Sequence, residues 1–119
     1  MATFKRFEDI GAWQKARLVT KAVYLLTMKG QFAKDFGLMD QIRRSSVSIM
    51  ANIAEGFGRR SDKEFVYFLN IAHASAAEAQ SHLYVAFDLG YISQEEFNQT
   101  YCLLEETSKM TVSLAKYLK

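Results

Sequence analysis

The chain has 119 residues, 50% of them hydrophobic and 24% charged, with no proline, one cysteine and a net charge of +2. Its length predicts a single domain over 1–119, and area scaling buries about two-thirds of the unfolded surface, enough for a core without staples. Near balance between 15 basic and 13 acidic residues excludes a histone-like polycation and an acidic solvating tail, and the lone Cys102 excludes an internal disulfide or a cysteine-paired zinc knuckle.

The opening MATFKRFEDIG has no apolar run of signal-peptide length, and no later stretch approaches a membrane span, so a cytoplasmic, reducing setting is expected. Glycines at the ends of long segments of helical period then predict four helices, at about 10–29, 38–57, 62–89 and 94–118. The first takes Asp9 as its N-cap and runs to Lys29. Trp13, Ala16, Thr20, Val23, Tyr24 and Thr27 share its inner face, and Gly30 follows its end.

The second helix carries the stripe Ile42, Ser46, Ile49, Ile53 and Phe57. Beside it, Gln41, Ser45, Ser48, Asn52 and Glu55 recur at spacings of 4, 3, 4 and 3, drawing one polar line. The plain reading is a solvated flank. Yet these are short hydrogen-bonding side chains rather than the Lys/Glu mixture of a solvent face, and Ser and Asn are poor helix formers. Such a line is expected to bond to another helix or subunit. A glycine-flanked turn, Glu55-Gly56-Phe57-Gly58-Arg59-Arg60-Ser61, carries two arginines into the next helix.

The third helix opens on Ser61-Asp62-Lys63-Glu64, a capping-box pattern, and closes at Gly90. At about 100° per residue, Phe65, Phe68, Leu69, Ala72, Ala76, Ala79, Leu83, Ala86 and Phe87 fall in one arc. Tyr67, Ile71, Ala74, Val85 and Leu89 fall in a second, roughly opposite arc, with Glu78 in its middle. A four-helix bundle covers one of these seams, so the other is expected to meet further copies of the chain. Glu78 within it is either rim-exposed or paired with a donor from elsewhere, because a carboxylate buried alone costs several kcal/mol. The fourth helix opens on a second box, Ser93-Gln94-Glu95-Glu96, and turns Phe97, Tyr101, Leu104, Ser108, Thr111, Ala115 and Leu118 inward. Short connections between four helices predict an all-α, antiparallel up-down-up-down bundle.

Charge is unevenly spread. Residues 1–63 hold twelve Lys/Arg and six Asp/Glu, whereas 64–119 hold three and seven. The candidate contacts for RNA or another nucleic acid are Lys5 and Arg6 between Phe4 and Phe7, Arg43 and Arg44, and Arg59, Arg60 and Lys63. Several cations on one surface release counterions, and neighbouring aromatics stack on unpaired bases. Arg43 and Arg60 are about 25 Å apart along a helix, so they form two patches unless an oligomer gathers copies. The plain alternatives are an i,i+4 pair of Arg44 with Asp40 and solvated turn charge at Arg59 and Arg60. No catalysis, metal or cofactor is expected. Glu78 and His82 share a face, but a bundle di-metal site needs Glu-x-x-His on two helices and that motif does not occur; Gly56-Phe57-Gly58 lacks the strand and later glycine of a dinucleotide loop. The rival to a nucleic-acid scaffold is an adaptor that presents helices to a protein partner.

The run Gln41-Ile42-Arg43-Arg44, Ser48-Ile49, Asn52-Ile53-Ala54-Glu55-Gly56 and Gly58-Arg59 resembles the signature of the bacterial four-helix-bundle proteins encoded in intervening sequences of 23S ribosomal RNA genes. Phe7-Glu8-Asp9 with Trp13 and Ala16, Glu64-Phe65 with Phe68-Leu69, Ala72, Ser75 with Glu78, and Leu83 with Leu89-Gly90-Tyr91 extend the resemblance over nearly the whole chain. It implies a homopentamer and distant kinship to accessory proteins of diversity-generating retroelements, which bind nucleic acid and a reverse transcriptase. It implies fold more than function. Three positions depart from the pattern: Met50 replaces a proline that would kink helix two, Ala74 a glycine before the helix-three serine, and His82 a glutamine.

Overall fold

Four long helices, α1 (Gly11–Thr27), α2 (Phe36–Phe57), α3 (Asp62–Asp88) and α4 (Gln94–Leu118), make up the computed structural model, which describes residues 4–119; no strand occurs among them. Two single-turn 3-10 helices, Phe7–Asp9 and Phe32–Lys34, precede α1 and α2. Each long helix packs on two others, α1 and α3 both lying against α2 and α4. One cluster of buried side chains draws on all four. No helix among the described residues is long and apolar enough to cross a membrane.

The arcs predicted for α2, α3 and α4 supply most of that cluster. Ile42, Ile49 and Ile53 meet Leu69, Ala72, Ala76, Ala79, Leu83 and Leu104, all fully buried. On α1 the inner face is rotated by about 50° from the expected one. Ala12, Val19 and Leu26 are buried with Ala16, Val23 and Thr27, whereas Tyr24 is exposed and Trp13 only half-buried. Both rings lie at the boundary because a large apolar body gains from partial cover there: Trp13 meets Phe7 edge-on at 5.1 Å, and the Arg43 guanidinium covers Tyr24 at 4.4 Å. On α4, Thr107 takes the inward place expected of Ser108, satisfying its hydroxyl on the Leu103 carbonyl at 2.7 Å. No buried side-chain polar atom among the described residues lacks a partner.

Helix ends follow the capping chemistry with three corrections. Asp9 closes the first 3-10 turn and does not cap α1; buried Ile10 occupies the N-cap position without a side-chain bond. Asp35 caps α2, accepting from the Leu38 amide at 3.1 Å, so α2 starts two residues before the expected boundary. Ser93 and Glu96 form the full reciprocal box, and Glu96, bonded first by the Lys29 ammonium and then by the Ser93 amide, is held below the usual carboxylate range. Its stabilising effect is present above the ordinary carboxylate pKa and is lost as pH falls below it. Ser61 makes only its half of the first box, since Glu64 bonds the Ser61 hydroxyl rather than its amide and leans towards Arg59. Gly90 closes α3 at φ +74°, with the Tyr91 amide reaching back to the Ala86 carbonyl.

Two buried residues, Phe32 and Ile92, lie outside every predicted helix. Phe32, on the 3-10 turn, is fully buried against Tyr91 at 5.4 Å, and the Tyr91 hydroxyl donates to the capping Asp35 at 2.9 Å, which raises the phenol pKa above its ordinary value. Asp35→Ala removes both bonds and is expected to lower stability by about 1 kcal/mol, read from the urea midpoint. A Tyr91→Phe variant losing as much would place the effect in the phenol rather than the cap.

Candidate assembly face and nucleic-acid surface

The outer seam of α3 is bare. Tyr67 is 62% exposed, Leu89 56% and Val85 43%; Ala74 is exposed and Ile71 half-buried. The inward seam of the same helix, from Phe65 to Ala86, is covered, so α3 is apolar on two sides with one side unpartnered. Helices α2 and α3 come nearly into backbone contact at Gly56, where a Cβ would lie 2.8 Å from Phe68 Cβ and 3.0 Å from Phe65 Cδ1.

The polar line of α2 runs beside that contact and is partly spent within the chain. Ser48 Oγ pairs with Ser75 Oγ of α3 at 2.9 Å, and Asn52 Nδ2 donates to the Ser48 carbonyl and hydroxyl at 2.8 and 3.0 Å. Ser45 bonds back to the Ile42 carbonyl, and Glu55 accepts from Arg59 at 2.9 Å. Only Gln41, at one end, keeps an exposed side chain with no hydrogen bond among the described residues. Glu78 is exposed and its nearest donor is His82 of its own helix at 3.4 Å. A cleft of about 680 Å³ between α2 and α3 joins these sets, being lined by Gln41, Ser45, Ser48 and Glu78 together with Tyr24 and Arg43. Two features that the sequence lays on separate helices thus form one surface.

The basic candidates divide between two places. Arg43 donates from Nε to Thr27 Oγ1 at 2.8 Å while covering Tyr24, and Arg44 pairs with Asp40 at 2.9 Å; both line the α2–α3 cleft. Arg59 pairs with Glu55 at 2.9 Å, approaches Glu64 at 3.9 Å and lies over the Phe68 ring at 4.8 Å. Arg6 pairs with Glu8 at 2.6 Å, which drives that carboxyl below and the guanidinium above their ordinary values. Lys5, Arg60 and Lys63 are exposed and make no ion pair among the described residues. The segment with Lys5 and Arg6 packs on α1 and α2, and Phe4 shares a cleft with Met110 and Leu114 of α4, while Lys63 shares another with Leu118 and Lys119. Both clusters therefore meet at the end of the molecule where α4 finishes, and Arg43 lies about 24 Å along α2 from Arg59.

Sequence reasoning missed the lysines of α4. Lys109, Lys116 and Lys119 are the only basic residues after Lys63, and the acidic total of that half masked them. A seven-residue interval between Lys109 and Lys116, two helical turns, was the available signal. No group of three or more His, Cys, Asp or Glu side chains placed to hold a metal ion occurs among the described residues.

A family model described as 23S rRNA-intervening sequence protein matches residues 8–113. Among solved structures, a protein of unknown function from the S23 ribosomal protein family of Bacteroides thetaiotaomicron is similar over 88% of this chain and 98% of its own, with a TM-score of 0.81 and 29% identity. No curated protein sequence matches.

Proposed function

Because the chain belongs to the 23S rRNA-intervening sequence protein family, we propose that it is a non-catalytic, self-associating helical scaffold that binds RNA through cations gathered at one end. The uncovered apolar seam of α3 carries this reading: Tyr67, Ile71, Val85 and Leu89 lie on one helix face beside a polar cleft, and another copy of the chain supplies a matching cover. A pentamer is the assembly that the family resemblance implies. The antiparallel arrangement draws support from the ion pairs Lys29–Glu96 and Lys15–Glu106, in which the end of α1 meets the start of α4 and the positions approach each other along the chain.

Nucleic-acid binding draws support from the unpaired Lys5, Arg60 and Lys63 at that end, which a ring would repeat around its axis. The adaptor reading has its own observation: Arg6, Arg44 and Arg59 are ion-paired and Arg43 bonds Thr27 while lying over Tyr24, so much of the cationic charge is engaged locally. Salt separates the two. Affinity for a labelled oligo-uridine strand is expected to fall linearly on a log–log plot, and Lys5→Glu with Arg60→Glu to flatten the slope by about 1.4, or about 0.7 per lost phosphate contact, with the particle mass unchanged. Docking of a protein partner with no response to salt, and no strand binding, would establish the adaptor instead.

A further inference from the structure

We propose that the groove between α3 and α4 at this end of the molecule is a binding track for a phosphodiester strand. The inference rests on the nucleic-acid reading above and gives it a second surface, in which Lys63 is joined by residues outside the basic motifs of the sequence. One concavity of about 400 Å³ is lined by His73, Ser108, Lys109, Val112, Ser113 and Lys116. Two ammonium groups, two hydroxyls and an imidazole face it, and no carboxylate does. His73 Nδ1 and Ser108 Oγ are hydrogen-bonded across the two helices, which fixes the imidazole at the rim. A second concavity, of about 330 Å³, follows where Lys63 and Val66 of α3 meet Leu118 and Lys119, with Asp62 its single acid.

Charge segregation makes this groove more than a scatter of lysines. All three basic residues of the segment 64–119 line one or other concavity, whereas none of its seven acidic residues lines either. Lys63, Lys109, Lys116 and Lys119 make no ion pair among the described residues, so their charge is available. Ammonium, hydroxyl and imidazole groups converging in the first concavity without a competing carboxylate suit anionic phosphate oxygens. Length selects a polymer over a single phosphate group. From Ser108 to Lys119 α4 rises about 16 Å, equal to about five nucleotides at 3.4 Å each. Val66 and His73, like Lys109 and Lys116, are two turns apart, so the lining repeats along one face.

The track also avoids the assembly face. Around α3, His73 lies roughly 120–160° from Tyr67, Ile71 and Glu78, on the opposite flank of the helix. Copies joined through the seam leave it open.

The test compares wild-type protein with Lys109→Glu plus Lys116→Glu, and with the milder Lys109→Gln plus Lys116→Gln, for binding of labelled oligo-uridine and oligo-thymidine across a salt series. Particle mass and helicity are recorded for each. Both double variants are expected to bind at least about tenfold more weakly at low salt and to flatten the log–log slope by about 1.4, with mass unchanged, while Lys109→Arg plus Lys116→Arg retains affinity. Unchanged affinity in both double variants at Lys109 and Lys116, alongside the loss expected for Lys5→Glu with Arg60→Glu, overturns the track and leaves the scaffold reading standing. Absence of strand binding by wild-type protein overturns both. Displacement by inorganic phosphate as effective as by unlabelled strand at equal phosphate concentration overturns the strand in favour of a free phosphate group.

Discussion

Ile71→Glu is expected to convert the assembled protein into folded chains of 13.6 kDa, the mass of one copy. Ile71 lies in the outer seam of α3, half-buried in a single chain and flanked by Tyr67 and Ala74. Its own fold does not need it: the inward seam is supplied by Leu69, Ala72 and Ala76. A carboxylate there is well hydrated in the lone chain and loses its water only when another copy covers it. That desolvation costs several kcal/mol per contact, and a closed ring incurs it at every interface. Light-scattering mass reads the outcome, with helicity by circular dichroism as the control for folding. A variant that keeps the wild-type mass would place the subunit contact elsewhere, and a wild-type protein that scatters as single chains at high concentration would remove the assembly altogether.

Phe32→Ala is expected to remove about 3–5 kcal/mol, a large share of the roughly 5–15 kcal/mol that holds a domain of this size together. The side chain is fully buried although its backbone belongs to a connection between helices. It packs against the tilted ring of Tyr91, which in turn bonds Asp35, the cap of α2. Truncation therefore empties a hole and loosens the two residues that tie the α1–α2 and α3–α4 connections together. A urea midpoint gives the number, and a loss below about 1 kcal/mol would mean that the ring is not part of the core. Helicity in the folded baseline should hardly change, since Phe32 contributes to no long helix.

What the sequence made legible follows from which interactions are local. The boundaries of α3 and α4 are set within a few residues by Ser61, Ser93 and Gly90, and the two seams of α3 obey the helical period alone. Phe32 was not legible because a three-residue helix has no period to reveal an inward face. The α1 face was misjudged because hydrophobic bulk was read as burial, whereas Trp13 and Tyr24 spread over a boundary and Val19 and Leu26 fill the interior. The polar line of α2 was visible, but Ser75 as its partner depends on how two helices slide past each other, which spacing within one helix does not encode. The i,i+4 pair of Arg44 with Asp40 follows from spacing, while Arg43 on Thr27 and Tyr24 needs the fold. Helix α2 runs through Met50 without a break, from Phe36 to Phe57.

Helix α3 separates two surfaces, its own uncovered apolar seam on one flank and the groove that holds the lysines of the α4 segment on the other. In any assembly built through the first, each added protomer contributes another copy of the second, tethered at fixed distance from the last. On the proposed reading, a long polymer held by one protomer meets the next at a high effective concentration, so the expected avidity grows with its length while a short fragment gains nothing. Under the same proposal, recruitment and release are expected to respond to ionic strength alone, with the protein particle itself left whole.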